Sequence, residues 1–258
     1  MKIKKISILV ILIYIVSFLG CNRAKPASLL LYCGAGIRPP VSEIINIFEK
    51  ERGIKVECIY NGSNILLGQI KLSRKGDLFM PGDSYYLEQA KAEGFIKDKC
   101  IVAYFVPVIM VQKGNPKEIK GLNDLTRKGV RFGAGDLRAC AIGMQAVKIF
   151  EKNKIPLKEI EANTVFTAAT VNELGMAIKL GHIDAAIVWD AVARYYPQDA
   201  QIIAIPLKQN IISQIPIGVL SFGRNKLLSR EFIEFMVSKQ GREVFRKYNY
   251  TLKVKKGE

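Results

Sequence analysis

LLLYCGAGIRPPVSEIINIFEKERGIKVECIYNGSNILLGQI, residues 29–70, predicts strand, glycine-bearing turn, helix, strand, polar turn and helix in succession. Residues 29–32 form a short apolar run of the kind a buried parallel strand uses. Cys33, Gly34, Ala35 and Gly36 follow, small enough to let backbone approach a ligand closely. Pro39 and Pro40 stand where a first helical turn tolerates proline. Val41, Ile44, Ile45 and Phe48 then recur on one helical face, and Gly53 closes the helix. Residues 54–60 read as the second strand. Asn61, Gly62, Ser63 and Asn64 make the second turn, before a helix opening with Ile65, Leu66, Gln69 and Ile70. Two such turns set two helix N-termini at one edge of a sheet, an arrangement suited to anions.

The chain begins MKIKK and continues with an apolar run up to Cys21. A basic start followed by such a run is an export signal over residues 1–20, short for a membrane-spanning helix. Phe18-Leu19-Gly20-Cys21 resembles the lipobox of bacterial lipoproteins, in which the cysteine is lipidated and becomes N-terminal after cleavage. Residues 21–28 would then tether an exported, lipid-anchored protein. An uncleaved signal anchor would equally place the bulk of the chain outside the cytoplasm.

What remains after residue 20 is long enough for two lobes. The formal net charge of +16 could suit nucleic acid, anionic lipid or small anions. The basic residues are scattered, however, and thickest from Arg242 to Lys256, without the interleaved aromatics that strand binding needs. No nucleic-acid partner is expected. Cys33, Cys58, Cys100 and Cys140 could form up to two disulfides, and a single bridge between Cys33 and Cys58 is one option. No spacing suggests a cation site. A thiol enzyme would need a base, and His182, the only histidine, sits in a Gly-His turn ahead of a buried strand. The carboxylates form no assignable pair. Catalysis and cofactors are therefore not expected.

Further along, residues 77–80 read as a third strand, and Asp83 or Ser84 caps the helix that Gly94 ends. Residues 101–112 form a long apolar run with Pro107 in its middle, which predicts a crossover between sheets and a candidate hinge. A second α/β unit follows: a strand over 130–134, a loop over 135–141 into a helix, and a strand over 164–167. Thr170 and Glu173 match a capping box that starts another helix. Residues 183–189 make another buried strand. Residues 202–206 and 215–222 read as a return to the first sheet. Ser229 reads as the cap of a helix carrying Phe232, Phe235 and Met236, before a last helix near 241–248. Two lobes joined by a double crossover enclose a cleft that can close.

The segments YCGAGIRPPVSEIINIFEKERGIKVECIYNGSNILLGQI, KGDLFMPGDSYYLEQAKAEG, HIDAAIVW and FIEFMVSKQGREVFRKYNY resemble the molybdate/tungstate-binding family of solute-binding proteins that serve ABC transporters. The resemblance implies a two-lobed α/β fold like the type II periplasmic binding proteins, with a two-strand hinge. Residues 29–104 and 204–258 would form one lobe and 105–203 the other. It implies a monomer that holds a tetrahedral oxyanion, molybdate or tungstate, and passes it to an ABC permease and its ATPase. The positions that would hold the anion are Gly36, Ser63, Ile142, Val171 and Trp189. Gly36 keeps a backbone donor where the family has serine, and Trp189 offers an indole N–H where it has tyrosine. Asn61 or Asn64 would replace the lost hydroxyl, and Arg38 or Arg138 would either reach the anion or stay in solvent. Sulfate, phosphate or a sensor role toward a membrane receptor are the alternatives.

Overall fold

The computed structural model describes residues 28–254, so the export segment and Cys21 lie outside the described residues. Strand β1 (Ser28–Gly34) buries Leu29, Leu31, Tyr32 and Cys33, and so needs partners on both edges and cover on both faces. It finds β2 (Lys55–Asn61) and β3 (Leu78–Met80) in parallel, with Leu31 opposite Cys58 on one side and Leu78 on the other. Helix α1 (Arg38–Arg52) starts on its two prolines and buries Val41, Ile44, Ile45 and Phe48. Gly53, at φ +67°, supplies the left-handed residue that stops it. Helices α2 (Ser63–Ser73) and α3 (Ser84–Ala92) complete this half of the lobe. Asp83 caps α3 by accepting the Tyr85 N–H at 2.7 Å.

The long apolar run is split, as its proline requires. Strand β4 (Ile96–Phe105) belongs to the first sheet and β5 (Pro107–Gln112) to the second, with Val106 between them. Asp190 pins this joint: its Oδ1 accepts the Val106 N–H at 3.2 Å, and its own N–H donates to the Val106 carbonyl at 2.8 Å. The second lobe then adds β6 (Phe132–Gly135), α4 (Ala141–Lys152), α5 (Leu157–Asn163) and β7 (Thr164–Ala168). It continues through α6 (Val171–Lys179), β8 (Ala185–Trp189), α7 (Asp190–Ala193) and β9 (Ala200–Ala204). The chain returns through β10 (Ser213–Leu220), α8 (Lys226–Val237) and α9 (Lys239–Lys247). The strand orders are β2-β1-β3-β10-β4 and β7-β6-β8-β5-β9. This is the two-lobed α/β arrangement expected, with strands crossing between two five-stranded sheets.

Two local expectations change. Residues 202–206 do not return to the first sheet: β9 is the edge strand of the second, pairing with β5 at Ile109 and Ile203. The return is made by β10 alone, antiparallel to β4 and β3. Helix α8 begins before Ser229, whose buried hydroxyl donates back to the Asn225 carbonyl at 2.9 Å within the first turn. Of the two options for the cysteines, bridged or free, the structure has the second: Cys33, Cys58, Cys100 and Cys140 are all free thiols. Among the described residues no helix is long and apolar enough to cross a membrane.

Candidate functional site

The ends of β1, β2 and β3 and the starts of α2, α4 and α6 meet around one small cavity between the lobes. Its volume is about 20 Å³, on the scale of a single water or small ion. Gly34–Ile37, Asn61–Ser63 and Gly82 line it from the first lobe, and Cys140, Ala141, Thr170 and Val171 from the second. The rings of Phe105 and Trp189 wall it, stacked at 4.7 Å and 6° across the joint between β4 and β8. Among the described residues, no carboxylate, lysine, arginine or histidine lines it.

The donors come from the way these helices begin. Gly62, Cys140 and Thr170 are the N-cap residues of α2, α4 and α6, and none caps its helix through a side-chain hydrogen bond. The Thr170–Glu173 box forms only in part. Glu173 accepts the Ala169 N–H at 3.1 Å and the Thr170 hydroxyl at 2.8 Å, so that hydroxyl does not accept from the helix. First-turn N–H groups of three helices are thereby left without a side-chain cap, each at the positive end of a helix dipole. Ser63 adds a hydroxyl. Its Oγ accepts the Gly82 N–H at 3.0 Å, which leaves the hydroxyl proton to be donated inward. Asn61 uses its Oδ1 on the Gly62 N–H at 2.8 Å, leaving its NH2 as the free donor. Burial pushes the Cys140 thiol up to about 12, so it stays neutral.

Among the sequence-derived positions, Gly36, Ser63, Val171, Trp189 and Asn61 all line this cavity. Ile142 is fully buried one residue behind Ala141 and is not among the residues that line the cavity. Asn64 is spent elsewhere: its Nδ2 donates to the Arg138 carbonyl at 2.6 Å. The Arg138 side chain points away, 90% exposed and 3.5 Å from Asp136. It borders a larger hollow of about 590 Å³ in the second lobe, walled by apolar side chains such as Phe132, Phe150 and Ile160. Arg38 lies over the Tyr60 ring at 4.6 Å. His182 sits at the far end of β8 from Trp189, away from every cysteine of the cavity.

Gly36 is bare because its space is taken. A Cβ there would lie 2.9 Å from Val171 Cγ1 and 3.4 Å from Trp189 Cδ1. The pyrrole edge of the indole therefore faces the first turn. Sequence reading missed Gly82, Phe105 and Tyr250, whose hydroxyl donates to the Gly36 carbonyl and meets the Tyr195 hydroxyl at 3.0 Å. Only Gly82, in a Pro-Gly turn, carried a local signal of close approach.

Residues 29–251 match the family model described as bacterial extracellular solute-binding protein. A Haemophilus influenzae relative, whose name assigns binding without a ligand, is 30% identical over 86% of this chain and 89% of its own length. The molybdate-binding protein ModA of Escherichia coli is 22% identical over 91% of this chain and 93% of its own. Among solved structures, the periplasmic molybdate-binding protein of Azotobacter vinelandii matches at TM-score 0.77 and 13% identity, covering 88% of this chain and all of that one. The sulfate-binding protein SubI of Mycobacterium tuberculosis matches at 0.75 and 18%, covering 87% and 86%. The periplasmic binding protein AfuA of Actinobacillus pleuropneumoniae, with fructose-6-phosphate bound, matches at 0.77 and 17%, covering 91% and 87%. These are binding proteins rather than enzymes, and the chain belongs to the bacterial extracellular solute-binding proteins.

Proposed function

We propose that this protein captures a tetrahedral oxyanion, molybdate or its larger congener tungstate, between its lobes and hands it to an ABC permease and its ATPase. One observation carries this reading. Uncapped N-termini of three helices, the Ser63 hydroxyl and the Asn61 amide converge on an ion-sized cavity without a charged side chain. A dianion buried there loses its hydration, a cost that only compensating donors can meet. Each charge-assisted hydrogen bond returns roughly 1.5–3 kcal/mol and each helix end about 0.3–1 kcal/mol.

The same donors argue against protonated phosphate. A ligand hydroxyl needs an acceptor, and the lining holds no carboxylate to supply a strong one, while Ser63 Oγ and Asn61 Oδ1 each already accept an N–H, from Gly82 and Gly62. The small volume argues against a sugar phosphate. Lipidation at Cys21 would hold the monomer at the membrane beside its permease.

Calorimetric titration with molybdate, tungstate, sulfate and phosphate in parallel tests the reading. Tight one-to-one binding of molybdate or tungstate, with phosphate silent, is the expected outcome; sulfate alone would keep the mechanism and change the ligand. Ser63→Ala is expected to weaken binding about tenfold, the loss of one hydrogen bond to a charged group. Unchanged affinity in that variant would remove Ser63 from the site.

A further inference from the structure

We propose that Asn64 and Asn172 are paired positioning residues that clasp the lobes shut around the ligand, an inference that rests on the cleft being the capture site. The two occupy equivalent places. Each is the second residue of its helix, Asn64 in α2 and Asn172 in α6, and each follows a residue that lines the cavity, Ser63 or Val171. Each reaches across to a carbonyl of the opposite lobe, on a segment that runs into residues lining the cavity. Asn64 Nδ2 donates to the Arg138 carbonyl at 2.6 Å, and the Asn64 N–H to the Ala139 carbonyl at 3.3 Å. Those residues run into Cys140 and α4. Asn172 Nδ2 donates to the Ala35 carbonyl at 3.0 Å, on the turn into α1. Asn172 Oδ1 is buried and bonds nothing, so its amide is oriented by the Ala35 contact.

The bonds therefore run crosswise. The first lobe's asparagine holds the second lobe's loop, and the second lobe's asparagine holds the first lobe's turn. Both form only when the lobes meet. Neither side chain needs to touch the anion, yet each fixes the two loops whose N–H groups do. Opening the cleft must break both sets, which places their effect on release rather than on encounter.

Stopped-flow fluorescence of Trp189, the only tryptophan in the chain, with molybdate as the probe, tests this in Asn64→Ala, Asn172→Ala and the double variant. Each single change is expected to speed release about fivefold, and the double change about thirtyfold, with association and ligand-free melting unchanged. Release rates equal to the parent's, or an association rate that falls as release rises, would overturn the clasp. If the unsubstituted protein binds none of the four anions, the proposed ligand fails separately. X-ray scattering then decides the clasp: a larger radius of gyration in the double variant than in the parent supports it, and equal radii overturn it.

Discussion

Gly62→Ala is expected to cut anion affinity roughly a hundredfold while leaving both lobes folded. The backbone at Gly62, φ −61° and ψ 142°, suits any residue, so alanine brings no strain of its own. The obstacle is across the cleft. A Cβ would stand 2.6 Å from the Ala139 carbonyl oxygen and 2.6 Å from the Ala169 carbonyl oxygen. Both are backbone atoms of the second lobe, just ahead of α4 and α6, and neither can swing aside like a side chain. Separating the lobes relieves the clash, which also breaks the adjoining bond from the Asn64 N–H to Ala139. Overpacking of this kind costs about 1–3 kcal/mol. Because it falls on the closed state alone, it reduces binding by the corresponding factor. Calorimetric titration, with scattering on the liganded protein and a melting curve without ligand, checks each part. Parent-like affinity would show that the lobes close without bringing these backbones together.

Trp189→Ala is expected to lower the melting temperature by about 10 °C and to abolish tight binding. The indole is 2% exposed, lies flat on Phe105, and through it reaches Tyr250 at 5.3 Å. Truncating a buried tryptophan to alanine costs roughly 3–5 kcal/mol, at roughly 2–4 °C per kcal/mol for a protein of this size. Trp189→Phe separates the two roles. It keeps an aromatic stack on Phe105 but removes the N–H, so it should lose about tenfold in affinity with most of the stability retained. Differential scanning calorimetry and titration of both variants measure the pair of effects. If Trp189→Phe binds as tightly as the parent, the indole N–H makes no contribution to the ligand.

The strand–turn–helix units were legible because their signals are local. Apolar spacing set α1, Gly53 marked its left-handed end, and Pro107 marked the break between β4 and β5. Edge choice was not legible. An apolar run such as residues 200–204 states that it is a strand, while its sheet is decided by which neighbour offers an open edge. The cavity was legible in part for the same reason. Gly36 and Ser63 sit in turns whose composition announces close approach, whereas Phe105 and Tyr250 look like ordinary core until the fold brings them together. Asn64 shows the converse. Its place beside Ser63 suggested a ligand, and only the opposing Arg138 carbonyl reveals where its amide is used. Thr170 likewise matched a cap pattern, but its hydroxyl is turned to Glu173.

The position of β10 between β3 and β4 has a consequence in time. The second sheet is built from one continuous stretch, β5 to β9, and can assemble once residue 204 is available. The first sheet has a gap between β3 and β4 until residues 213–220 arrive, although its other strands are made earliest. Pairings so far apart along the chain are slow to form, since a long loop must be closed before they reward it. The earliest-made lobe is thus the last to finish. β1, β2 and β3 can pair with one another early, but the facing edges of β3 and β4 stay open until β10 fills the gap.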